Sequence, residues 1–223
     1  MVATPAALAL SLLRKPLEDL YNLGKEKFET ELNEWKNDAK AKQLVRKVLV
    51  YDKVRTIWQK TKDVRISQMY YAPRIIFSDE VTRSVDSLAK IPTAQNYVIE
   101  GTVGQGKSVF LRYLCLQELK ENSTGRIPIF IELRTIEKHL SLENAIKAGL
   151  DNLGFVINDA LYEFYLKSGK IVLLLDGFDE LPSKHILSVM EELECLSVKY
   201  SSLQVIVTSR PDRDIQGGVN NFV

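Results

Sequence analysis

Gly101-Thr102-Val103-Gly104-Gln105-Gly106-Lys107-Ser108 is the stretch from which the architecture of this 223-residue chain is read. Its spacing is G-x-x-x-x-G-K-S, with a further glycine inside the loop. Glycines there let backbone N–H groups converge on phosphate oxygens with no Cβ in the way. Lys107 then reaches the outer phosphates, and the Ser108 hydroxyl suits a Mg²⁺ ion. The flanks agree. Tyr97-Val98-Ile99-Glu100 predicts a short strand running into the loop, and Val109 to Leu116 predicts a helix leaving it. The helix N-terminus adds its dipole at the same point. The backbone from Gly101 to Val109 is therefore the candidate phosphate cradle.

A second element lies downstream. Ile171-Val172-Leu173-Leu174-Leu175-Asp176 is an apolar run that ends in a carboxylate. Such a run predicts a parallel strand buried on both faces. An aspartate at its carboxyl end borders the crevice where α/β sheets bind ligands, and suits the Mg²⁺ of a nucleotide. Asp179 and Glu180 follow, just before Leu181-Pro182. Nucleotide hydrolysis needs a polarised, oriented water, and a carboxylate is a suitable base. Glu180 is the candidate base, with Asp179 shaping the metal shell or the water network. Arg210, at the tip of a later apolar strand, suits a bidentate contact to a γ-phosphate.

Four predicted strands, near 96–100, 127–133, 171–176 and 203–208, alternate with helices near 107–121, 142–152, 158–167 and 183–200. The alternation predicts an α/β P-loop NTPase fold, a parallel sheet flanked by helices. Glu100 and Asp176 are expected at neighbouring strand ends. Residues 1–67 are read as an all-helical N-terminal module and 68–223 as the NTPase core. Within 17–67, helix is expected throughout: Phe28, Leu32 and Trp35 recur at i, i+4, i+7, as do Leu44, Val48 and Tyr51. Gly24 and the Asn37-Asp38 region are the expected breaks.

Composition narrows the classes. The formal charge is +1, so global charge argues for no polyanionic partner. Residues 1–70 hold fourteen Lys/Arg against nine Asp/Glu, a mild excess that reads as a solvated helical surface. Cys115 and Cys195 read as two buried thiols of a reducing cytoplasm. His139 and His185 stand alone, and no dedicated metal cage is expected. Ala6 to Leu13 is apolar but too short to span a bilayer. Arg14-Lys15 follow it, the wrong order for a secretory signal, so an amphipathic docking helix is expected. Neither nucleic acid nor membrane has a clear signal.

Asp176-Gly177-Phe178-Asp179-Glu180 behind its apolar run resembles the extended Walker B of NACHT-type NTPases, members of the STAND class of signalling P-loop proteins. Arg126 to Arg134 is similar to the family's second strand. Gln204-Val205-Ile206-Val207-Thr208-Ser209-Arg210-Pro211 is similar to its sensor 1 strand, whose end faces the γ-phosphate. Met69-Tyr70-Tyr71-Ala72-Pro73-Arg74 resembles the segment lining the adenine pocket, which implicates Tyr71 and Pro73. The resemblance spans about residues 68–215 and implies ATP/ADP and Mg²⁺ as ligands. It also implies the additional-strand class, with sensor 1 between the Walker A and Walker B strands. The family's fifth strand, on the outer edge of the Walker A strand, is expected to be missing, which would leave that edge unpaired. The chain is accordingly expected to be truncated after sensor 1.

The implied function is a signalling switch whose nucleotide state gates self-association and the N-terminal module. Slow ATP hydrolysis, an unknown trigger and a role in antiphage or innate immune defence come with it. The alternative is an AAA+-like nucleic-acid loader. Loaders usually place an acid directly after the metal aspartate, where this chain has Gly177.

Overall fold

The computed structural model describes residues 5–33, 38–54, 63–120, 123–211, 219 and 221–223. It falls into two units, Met1–Ile91 with Arg112–Arg126 and Pro92–Leu111 with Ile127–Val223.

In the first unit, α1 (Pro5–Leu32) runs straight through Gly24 and breaks instead at Phe28, where φ/ψ is −132°/33°. One interior glycine costs a helix only about 1 kcal/mol, too little to end it when neighbouring residues pack. Helix α2 (Asp38–Leu49) lies against α1, and Leu17, Leu20, Leu32, Leu44 and Val48 are buried. Trp35 and Asn37 lie outside the described residues.

The expectation of helix throughout 17–67 fails at β1 (Lys53–Val54) and β2 (Val64–Arg65), a short antiparallel ladder. Asp52 anchors it. Its carboxylate accepts from Ser67 N at 2.8 Å and from Ser67 Oγ at 3.0 Å. One turn of helix, α3 (Ile66–Met69), leads to an antiparallel hairpin of β3 (Arg74–Ile76) and β4 (Thr82–Ser84).

The second unit holds the sheet. Its elements are β5 (Tyr97–Glu100), the start of α4 (Lys107–Gln117), β6 (Ile127–Glu132), α5 (Leu142–Leu153), α6 (Asp159–Lys167), β7 (Ile171–Asp176), α7 (Ser183–Lys199) and β8 (Gln204–Ser209). The four strands are parallel in the order β5-β8-β7-β6. The sensor 1 strand β8 thus lies between β5 and β7, as the resemblance implies. That placement corrects one expectation: Glu100 and Asp176 are not on adjacent strands. Glu100 registers with Ser209, and Asp176 with Glu132.

Strand β8 and the aliphatic run of β7 are wholly buried. Burying each aliphatic side chain contributes roughly 1.5–3 kcal/mol. Pro128 is tolerated in β6 because that strand is an edge of the sheet. Helix α5 packs so closely on β6 that a Cβ at Gly149 would stand 2.8 Å from Ile129 Cγ2. At its N-terminus Ser141 Oγ caps Asn144 N, and the Glu192 carboxylate of α7 accepts from the Leu142 and Glu143 amides. Those bonds satisfy donors that a helix leaves open at its first turn.

Two further expectations are corrected. The outer edge of β5 is not bare: Val98 N donates to Val223 O at 2.9 Å, and Val223 N to Asn96 O at 3.0 Å. Cys195 is exposed, whereas Cys115 is buried. Val189, Leu193 and Leu196 define the inward face of α7, and position 195 falls off that stripe. Among the described residues, no helix is long and apolar enough to cross a membrane.

Candidate functional site

The site forms where β5, β8 and β7 end, because loops at the carboxyl ends of parallel strands open into one crevice. Strand β5 stops at Glu100, and the glycine loop turns there. Gly104 (φ 84°) and Gly106 (φ 79°) both adopt left-handed backbone, open only to glycine without strain. Such turns point successive N–H groups inward as an anion nest. Helix α4 then begins: Phe110 N donates to Gly106 O at 2.8 Å. The amides of Lys107, Ser108 and Val109 belong to the first turn, where a helix leaves N–H groups for a ligand.

Lys107 folds back over the loop. Its Nζ donates to Gly101 O at 2.5 Å and to Thr102 O at 3.3 Å. The ammonium therefore rests on the loop's own carbonyls. Thr102, Val103 and Ser108 are exposed around it.

The tip of β8 braces both sides of the crevice. On the loop side, Gly101 N donates to Ser209 O at 3.1 Å. On the other side, Thr208 Oγ1 donates to Asp176 Oδ1 at 2.8 Å and accepts from Gly177 N at 3.0 Å. Arg210 is tied to Asp179: its backbone N–H donates to Asp179 Oδ1 at 2.9 Å, and its Nε pairs with Oδ2 at 2.8 Å. The guanidinium proposed for a γ-phosphate is thus held by a neighbouring carboxylate. The Ser209 hydroxyl is buried and has no hydrogen-bond partner among the described residues.

Asp176 is half-buried at the end of β7. Gly177 (φ 74°) then turns the chain into a 3-10 turn, Phe178–Glu180, with Phe178 buried as its anchor. Glu180 folds over that glycine, so that a Cβ at Gly177 would lie 3.3 Å from its carboxylate carbon. Glu180 is thereby exposed over the residue that follows Asp176. Thr208 was read from sequence only as part of a strand end facing the γ-phosphate, and Glu132 and Arg134 only as part of a strand. Glu132 registers beside Asp176, and Arg134 donates to its carboxylate at 2.9 Å. That hydrogen bond raises the Arg134 pKa, and the charges of Glu132, Glu180 and Asp176 add to it. The available signal was Glu132-Leu133-Arg134 closing an apolar strand, the same pattern by which Asp176 is found.

Tyr71 and Pro73 belong to the first unit. Tyr71 is 93% exposed, and Pro73 O accepts from Val85 N at 3.0 Å. The packed tyrosine of that segment is Tyr70, whose ring lies 4.4 Å from that of Tyr113. Burial pushes its phenol pKa up, with Tyr113 adding to the shift.

The residues of the second unit fit a Mg²⁺-nucleotide. The loop offers amides rather than side chains, and Ser209, whose buried hydroxyl has no partner among the described residues, holds the loop's first N–H through its backbone carbonyl. Mg²⁺ keeps several waters and takes the rest of its oxygens from phosphates and one or two side chains. Ser108 and Asp176 would supply those two.

Comparison with curated proteins returns no match. A family model described as the NACHT domain matches residues 95–222, which takes in the glycine loop, the Asp176 turn and the tip of β8. The chain therefore belongs to the NACHT family and is a nucleotide-binding nucleoside triphosphatase of the P-loop class.

Proposed function

We propose that this chain is a Mg²⁺-dependent ATP/ADP switch with slow turnover. Its nucleotide state gates self-association of the core and release of an N-terminal effector or adaptor module at residues 1–67. Lys107 binds the outer phosphates, and Ser108 and Asp176 hold the metal ion. Glu180 takes the proton of the attacking water, while Asp179 positions Arg210. Tyr71 and Pro73 favour adenine, a role carried by the family resemblance. Antiphage or innate immune signalling in the cytoplasm is the biology that resemblance suggests. What carries the reading is the tip of β8. In three consecutive residues it contacts Asp176 through Thr208, the glycine loop through Ser209 and Asp179 through Arg210.

The test is titration of the full chain with fluorescent ADP and Mg²⁺, followed by competition with ATP and GTP. ATP displaces the probe, and GTP does so roughly tenfold less well, about 1.4 kcal/mol in base recognition. Lys107→Ala abolishes binding, whereas Glu180→Gln binds as before and slows turnover. Unchanged affinity in a folded Lys107→Ala protein would overturn the phosphate-loop assignment. Equal displacement by GTP would remove the adenine preference alone.

A further inference from the structure

The Gln105 side chain, although exposed, lies back along the glycine loop. Its Oε1 accepts from Thr102 N at 2.7 Å. The carbonyl at the other end of that same peptide unit, Gly101 O, accepts from Lys107 Nζ at 2.5 Å. A peptide unit is planar, so its N–H and C=O point in opposite directions and turn together. Gln105 and Lys107 therefore grip one rigid plate from its two sides. Release of the N–H would let the plate rotate and swing the carbonyl away from the lysine.

A second observation bears on the same plate. A Cβ at Gly101 would stand 2.5 Å from Gln105 Oε1 and 3.5 Å from Lys107 Cδ. The backbone of Gly101 is not in the left-handed region, unlike that of Gly104 and Gly106. A side chain at 101 would thus displace the Gln105 amide, with no strain from its own φ.

From this geometry we infer that Gln105 is a positioning residue of the phosphate loop. It clamps the Gly101–Thr102 peptide so that the Lys107 ammonium is held over the nest before phosphate arrives. The inference rests on the nucleotide site proposed above and deepens it. Gln105 acts through the loop, with no contact to the reacting atoms.

A double-mutant cycle tests it, read as affinity for fluorescent ADP with Mg²⁺ on the full chain. Gln105→Met keeps the length of the side chain without the accepting oxygen, and weakens binding about three- to tenfold, the scale of one hydrogen bond. Gly101→Ala evicts the amide and weakens binding by about tenfold in the wild-type background. In a Gln105→Ala background the same substitution costs less than about twofold, because contacting residues are not additive. A merely structural glycine would cost the same in both backgrounds. If Gly101→Ala does not fold alone, the affinity of Gln105→Met decides: a three- to tenfold loss supports the clamp, and wild-type binding overturns it. Additive losses, or a Gln105→Met protein that binds like wild type, would overturn it. Lys107→Ala separates the two levels. Binding that survives Lys107→Ala defeats the site itself, whereas binding lost there with an additive cycle defeats only the clamp.

Discussion

Thr208 shows how much of this site rests on one hydroxyl. It is fully buried, donates to the Asp176 carboxylate and satisfies the Gly177 amide. Thr208→Val keeps the shape and removes both bonds, leaving a buried N–H unpaired. The expected cost is about 1–3 kcal/mol, read as a lower urea midpoint with unchanged slope. Freed of its partner, Asp176 samples other rotamers, so Mg²⁺-dependent nucleotide affinity falls more than metal-free affinity. Unchanged stability and Mg²⁺ dependence would show that Thr208 merely fills space. The residues legible in the sequence are those whose geometry is contiguous, such as Gly104, Gly106 and Lys107. The bond of Thr208 to Asp176 was not legible, because it depends on the register that pairs Leu175 with Val207 across 32 positions of chain. Arg210 and Asp179 were each legible as candidates, but their pairing was not.

At the scale of elements, the alternation of strands and helices from 96 to 209 was readable because most of its helices and strands are strongly patterned, and the short β5 is marked by the glycine loop that follows it. The two-residue ladder of β1 and β2 was not, since so few positions carry no period against a helical background. The face of Cys195 was misjudged for a related reason: one residue along a helix turns a side chain by about 100°. One surface tie between elements has a pH signature. Glu163 of α6 pairs with Lys199 of α7 at 2.7 Å and with Lys167 at 2.9 Å. Hydrogen bonds from Lys199 and then Lys167 hold its carboxyl down at about 2, from an ordinary 4.5. A depressed folded-state pKa contributes stability above the unfolded value, lost as pH falls through the folded one. Stability of the second unit should therefore decline between about pH 4.5 and 2, and the Glu163→Gln variant should show a shallower decline. The pair is exposed, so added salt should shrink the difference. Identical acid profiles for variant and wild type would mean that the tie adds nothing.

For the whole molecule, nucleotide should act as a stabiliser of the unit that holds the loop. ADP and Mg²⁺ at about a hundred times the dissociation constant contribute about 2.7 kcal/mol to the native state. Thermal unfolding of the full chain should then show a rise in the transition that reports the sheet, absent in Lys107→Ala. No rise at saturating nucleotide would contradict binding at this site.

The tip of β8 has a thermodynamic consequence as well. Gly101, Asp176 and Asp179 are each already bonded to one of three successive residues. Much of the ordering that a ligand would otherwise impose is completed when the chain folds. Association then forfeits little configurational freedom, and its heat-capacity change should be that of a small buried contact rather than of coupled folding. A site so prearranged discriminates by fit from the first encounter, and the bonds that a phosphate must replace are those of two side chains, Arg210 with Asp179 and Lys107 with the loop carbonyls.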